Sequence, residues 1–171
     1  MFQKILVPLD GSKIAECALP YAEELAKGYD TQEVILISVT EEVRGRIRAH
    51  ETQERYHASN QLGLSGGDSE VELTFGRKER QAQRYLSKIA KRMAKELEVK
   101  GVNVRTEVLL GPPAQSIISY IEYSGTEIIV MSSHGRSGPS RWAYGSVADK
   151  VFRASCIPIL MIRAPGCVPG I

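Results

Sequence analysis

Five short apolar runs punctuate the chain, at residues 4–9 (KILVPL), 33–39 (EVILISV), 102–110 (VNVRTEVLL), 127–133 (EIIVMSS) and 157–163 (IPILMIR). Four of them are continuous and rich in β-branched residues. Strands buried on both faces have that pattern, as in a parallel sheet covered by helices. The run at 102–110 alternates more, which predicts an edge position.

Helical spacing fills the intervals. Ile14, Ala18, Tyr21, Ala22 and Leu25 fall on one face, with Ser12 placed to cap the start. A second helix is predicted over 78–98, with Ala82, Leu86, Ile89, Met93 and Leu97 as its apolar stripe and Lys and Arg crowding the other face. Pro112 and Pro113 suit the first turn of a third, which carries Ile117, Ile118 and Ile121. A fourth is predicted over 142–154, with Val147, Val151 and Phe152 pointing inward. Strand and helix in alternation make βαβ units with right-handed crossovers, hence an α/β fold with a doubly wound, Rossmann-like parallel sheet. Residues 41–75 break the rhythm. They are polar, weakly periodic and glycine-rich toward the end (LGLSGGDSE). The segment is too long for an ordinary βα loop, so it reads as a mobile crossover with some helix over 49–60.

Composition narrows the class. A chain of 171 residues fits one domain spanning 1–171, and 43% hydrophobic residues suffice for a sizeable core. The formal charge of +2 demands neither nucleic acid nor an anionic membrane as partner. No run approaches the roughly 20 apolar residues of a bilayer span. MFQKILVPLD has too short an apolar stretch for a signal peptide, since Asp10 ends it. Cys17, Cys156 and Cys167 form no CxxC pair, which suits a reducing, cytoplasmic setting without a zinc site.

The chemistry gathers where the fourth strand ends, in Met131-Ser132-Ser133-His134-Gly135-Arg136-Ser137-Gly138, followed by Trp142-Ala143-Tyr144-Gly145-Ser146-Val147. Ligands of open α/β sheets bind beyond the carboxyl ends of the strands. Gly135 and Gly138 allow positive φ and close backbone approach. Gly145, Ser146 and Val147 would present N–H groups and a hydroxyl to an anion at a helix N-terminus, with Arg136 and Arg141 as candidate counter-charges. Asp10, in Val7-Pro8-Leu9-Asp10-Gly11-Ser12, ends the first strand and would face the same crevice, to accept from a ribose hydroxyl or help hold a metal. Taken alone, the glycines and serines also suit an ordinary turn, and Asp10 a capping role. Neither a P-loop nor GxGxxG is present.

Other signals are set aside. Ser65-Gly66-Gly67-Asp68-Ser69 follows no strand and reads as loop. His50 and His57 lack companion ligands. His134 reads as structural or ligand-binding. The basic helix lacks the interleaved aromatics of a base-stacking surface.

KILVPLDGS, EVILISV and IIVMSSHGRSGPSRWAYGSVADKVFRASCIPILMIR closely resemble the universal stress proteins. ATP-binding members of that family carry G-x2-G-x9-G-[ST]. Here Gly135, Gly145 and Ser146 match, and Ser132 stands where the first glycine would be. The resemblance implies a five-stranded parallel sheet in order 3-2-1-4-5. It implies ATP, or AMP or ADP, with Mg or Mn reached through Asp10. It sets Pro8 and Asp10 near the nucleoside and the Val39 backbone at adenine. Ser132, His134 and Gly135 then match the ribose and phosphate loop, and Gly145, Ser146 and Val147 the phosphate-holding turn, while Met131, Arg136 and Gly138 are cofactor-binding candidates from the strand-end run itself. It also implies a homodimer through residues 157–163, an apolar edge that pairing would cover. The expected function is a nucleotide-binding, stress-response regulatory module. A dimeric interaction protein that has lost ATP binding, and a slow ATP hydrolase, are the alternatives. With no P-loop lysine and no second placed carboxylate, at most weak hydrolysis is expected.

Overall fold

The computed structural model describes residues 2–40, 69–135 and 144–163, with side chains described from Gly76 onward in the second of these segments. Its strands are β1 (Lys4–Pro8), β2 (Glu33–Thr40), β3 (Asn103–Leu110), β4 (Ile128–Ser132) and β5 (Ile159–Ile162). They form one sheet in the order β3-β2-β1-β4-β5, with every pairing parallel. The implied fold is therefore the observed one, and β3 is indeed an edge. The helices are α1 (Lys13–Glu16), α2 (Leu19–Gly28), α3 (Ser69–Leu97), α4 (Pro113–Ser124) and α5 (Ser146–Ala154).

Alternation along the central strands divides the core in two. Ile5, Val7, Val34, Leu36, Ile128 and Val130 point to one face, where Ala18, Leu19 and Ala22 of the first two helices and Leu86, Met93 and Leu97 of α3 cover them. Leu6, Ile35, Ile37, Ile129 and Met131 point to the other, beneath Ala114, Ile117 and Tyr120 of α4 and Ala148 and Val151 of α5. Burial on both faces is why these strands read as unbroken apolar runs. Of the expected helical stripe, Leu86, Ile89, Met93 and Leu97 are buried, and Ala82 is half-buried.

Three details depart from expectation. The first helix is two. Cys17 ends α1 and Pro20 lies in the first turn of α2. In a continuous helix Pro20 would lack the N–H for the Glu16 carbonyl and its ring would collide there, so the chain restarts. The restart shifts the phase: Ala18, Leu19, Ala22 and Ala26 face the core, and Tyr21 is 52% exposed. The long helix begins at Ser69 rather than near Lys78, so 69–75 belong to it and not to the crossover. The fourth helix begins at Ser146, and Ala148 and Val151 set its buried face, leaving Phe152 at 56% exposure against the ring of Tyr144. The crossover and helix expected over 41–68, including His50, His57 and Ser65 to Asp68, lie outside the described residues, as does Cys167. Cys17 is half-buried and Cys156 exposed. No helix among the described residues is long and apolar enough to cross a membrane.

Candidate functional site

The carboxyl ends of β1, β2 and β4 open into a cavity of about 830 Å³. Pro8 and Asp10 line it from the end of β1, Val39 from β2, and Met131, Ser132, His134 and Gly135 from β4 and the turn after it. Gly145, Ser146 and Val147 close the far side at the start of α5. Ten of the residues singled out in the sequence thus meet at one crevice. Arg136 and Gly138 lie outside the described residues, as does Arg141.

Asp10 organises the floor. Its Oδ1 accepts from the N–H of Ser12 at 2.9 Å, and Ser12 Oγ accepts from the N–H of Ala15 at 3.1 Å, capping α1 as expected. Between them Gly11 holds φ at 86°, a left-handed conformation that glycine adopts without a Cβ penalty. That turn aims the second carboxylate oxygen across the crevice at Gly135. A Cβ on Gly135 would stand 2.3 Å from Asp10 Oδ2, well inside any real contact. Gly135 does not have positive φ. A side chain there would have to displace the Asp10 carboxylate, so the glycine serves the close approach of Asp10, and the freedom of φ expected from the sequence is not what it uses. Gly145 is similarly close-packed: a Cβ would meet His134 Cα at 3.3 Å and Ser133 O at 3.4 Å.

Ser133 ties the turn together. Its N–H donates to the carbonyl of Ile162 at 2.7 Å, and its own carbonyl accepts from the N–H of Gly145 at 2.8 Å. Its Oγ lies 3.0 Å from His134 Nδ1. This serine is 1% exposed and does not line the cavity, so the Ser133–His134 contact orients the imidazole and is not a nucleophile arrangement. His134 is itself buried. Ser132 Oγ accepts from the N–H of His134 at 3.5 Å. The side chain that replaces the motif's first glycine is therefore engaged with its own loop.

Sequence reasoning missed one wall. Lys78, Gln81, Ala82 and Tyr85 of α3 line the cavity, as do Pro113 and Ile117 of α4. Tyr85 Oη donates to Glu16 Oε1 at 3.4 Å, fixing α3 beside α1. Among these Ala82 and Ile117 carried a signal as members of apolar stripes, and Pro113 as a first-turn proline. No group of three or more His, Cys, Asp or Glu able to hold a metal occurs among the described residues. Among the described residues the cavity offers a divalent cation one carboxylate, Asp10, so a Mg ion held by these residues would need its other ligands from phosphates and water.

The universal stress protein family model matches residues 1–163. The chain belongs to that family. Universal stress protein MJ0577 of Methanocaldococcus jannaschii is 32% identical over 163 residues, which is 95% of this chain and 96% of that one. The solved structure of MJ0577 superposes with a TM-score of 0.64 at 27% identity, covering 97% of this chain and 99% of that one. A universal stress protein solved in complex with cAMP has a TM-score of 0.57 at 15% identity, over 95% of this chain and 98% of its own. One from Arabidopsis thaliana with AMP bound has a TM-score of 0.55 at 13% identity, over 96% and 93%. At those identities the last two establish shared fold alone.

Proposed function

We infer that this universal stress protein binds an adenine nucleotide, ATP or a shorter relative, in the cavity at the carboxyl edge of its sheet, and acts as a regulatory module. The observation that carries this reading is the contact between Asp10 and Gly135, which leaves a carboxylate facing a glycine-built turn with the N-terminus of α5 beyond it. A carboxylate accepts from ribose hydroxyls, and helix N-terminal N–H groups favour phosphate. Pro8 and Val39 offer a mostly apolar slot for the base. Two structures of the same fold hold AMP and cAMP, which supports the ligand class. A Mg or Mn ion would arrive with the phosphates, near Asp10. The cytoplasm and a homodimer through β5 belong to this reading.

Ser132 favours a second reading, that of a dimeric interaction protein that has lost the nucleotide. Its engagement with the His134 N–H argues for the first, because the hydroxyl is turned to the loop's own backbone. The test is to denature freshly purified protein, identify any released nucleotide, and titrate ATP with Mg by calorimetry. Bound adenine nucleotide, or an affinity that disappears in Gly135→Val, is the expected result. Protein that carries no nucleotide and gives no heat with ATP, ADP or AMP overturns the reading.

A further inference from the structure

The described lining of the cavity holds one carboxylate, Asp10, and a single lysine or arginine, Lys78. The N-terminus of α5 contributes only about half an elementary charge. A triphosphate placed there faces a carboxylate, so a fixed cation on the opposing wall decides whether added phosphates are favoured or penalised.

Lys78 faces the cavity for a structural reason. It precedes Ala82 and Tyr85 by four and seven residues on α3, and such positions share one face of a helix. Tyr85 is held to Glu16, and Gln83 Nε2 donates to Thr106 Oγ1 of β3 at 3.2 Å. The backbone that carries Lys78 is thereby pinned on both sides, while the lysine stem itself is exposed and long enough to swing over the mouth. Elsewhere Lys4, Lys13, Lys27, Arg105 and Arg153 are engaged with carboxylates. None of the ion pairs among the described residues involves Lys78.

We propose that Lys78 is the residue by which the site discriminates ligands by phosphate charge, its ammonium supplying the counter-charge that ranks ATP above AMP and AMP above adenosine. The assignment rests on the adenine-nucleotide reading above. It makes α3 part of the ligand site, whereas the family resemblance drew only on strand ends and the glycine turn.

The experiment is calorimetric titration of wild type, Lys78→Met and Lys78→Arg with ATP, AMP and adenosine in metal-free buffer, at two salt concentrations. Circular dichroism checks that each variant folds, which the exposure of Lys78 favours. Lys78→Met is expected to weaken ATP on the order of ten-fold, AMP less, and adenosine less than about two-fold. The same variant flattens the salt dependence of ATP binding, and Lys78→Arg retains most of the discrimination. Equal weakening of all three ligands overturns the proposal, since it makes Lys78 a packing element of the wall. Unchanged ATP affinity overturns it too, as does transfer of the whole effect to Arg136→Gln. If wild type binds adenosine but Lys78→Met alters nothing, the adenine site stands and this proposal falls. If wild type binds none of the three, both fall.

Discussion

The two walls of the cavity are built by different means. On the β1, β4 and α5 side the surface is backbone: Gly11 turns Asp10 inward, Gly135 yields to it, and Gly145 lies against Ser133 and His134. On the α3 side it is the long, polar side chains of Lys78, Gln81 and Tyr85 standing on a helix whose other positions, Leu86 and Met93, are wholly buried. At its two glycines the first wall accepts added atoms only by moving the Asp10 carboxylate or the Ser133–His134 backbone. The second can change its charge and reach without disturbing what lies beneath. A site with one rigid wall and one adjustable wall can keep its ligand class while altering its preference within that class.

Substitutions can break or sharpen that contrast. The largest effect is expected beneath the adjustable wall, where Leu86→Ala removes a fully buried side chain. A loss of about 2–5 kcal/mol in denaturant unfolding is expected, with ligand affinity close to wild type in the fraction that stays folded. An equal collapse of affinity would show that the α3 wall is as exacting as the glycine wall. Next is Gly135→Val. Its Cβ displaces the Asp10 carboxylate, and nucleotide affinity falls about thirty-fold or more with little loss of stability. Retained affinity in calorimetry would refute the close-approach account. Ser132→Gly removes only a hydroxyl already satisfied by the loop, so a change of less than about three-fold is expected, in either direction. A gain of a hundred-fold would mean that Ser132 had been closing the site.

The smallest effect lies away from the cavity, in the packing of α4. Burial pushes the Tyr120 hydroxyl up to about 12, with the Arg105 guanidinium pulling the other way, and Arg105 Nη2 donates to its oxygen at 2.8 Å. An unfolded tyrosine releases its proton near 10, so above that pH the unfolded state holds fewer protons and stability falls as pH rises toward 12. Below 10 this group contributes no pH dependence. Chemical denaturation from pH 8 to 11.5 is expected to show a shallower alkaline decline in Tyr120→Phe than in wild type. Parallel curves would remove Tyr120 as the cause.

The parts of this architecture that were legible in the chain share a physical reason. Central strands of a doubly covered sheet bury both faces, so Ile5, Leu6 and Val7, or Val34 to Ile37, announce themselves without reference to the rest of the fold. Residues at the ends of such strands must lie at the carboxyl edge, which brought Asp10 and Ser132 to one crevice; Gly145 joined them as the expected helix N-terminus and through the resemblance. Tyr21 and Phe152 were misjudged because a helix's phase depends on where it starts, and Pro20 and Gly145 move those starts. Pro20 was readable as a break. The start of α5 was half read: Gly145 to Val147 were expected as a helix N-terminus, yet the apolar pattern was carried back to Trp142. Lys78 was hidden for another reason. Its sequence neighbourhood is that of any solvated basic helix, and only the packing of α3 over β2 and β3 brings its first described turns to the cavity.

The peptide groups of Ser133 have one more consequence. The N–H holds the end of the edge strand β5, and the carbonyl holds the residue that opens α5. If a ligand occupies the cavity and a partner pairs along β5, as proposed above, these two hydrogen bonds join the two sites through one residue. Such coupling is reciprocal by thermodynamic necessity: whatever factor occupancy of the cavity imposes on association at β5, association imposes on occupancy. The protein would then report its ligand as a change in its company.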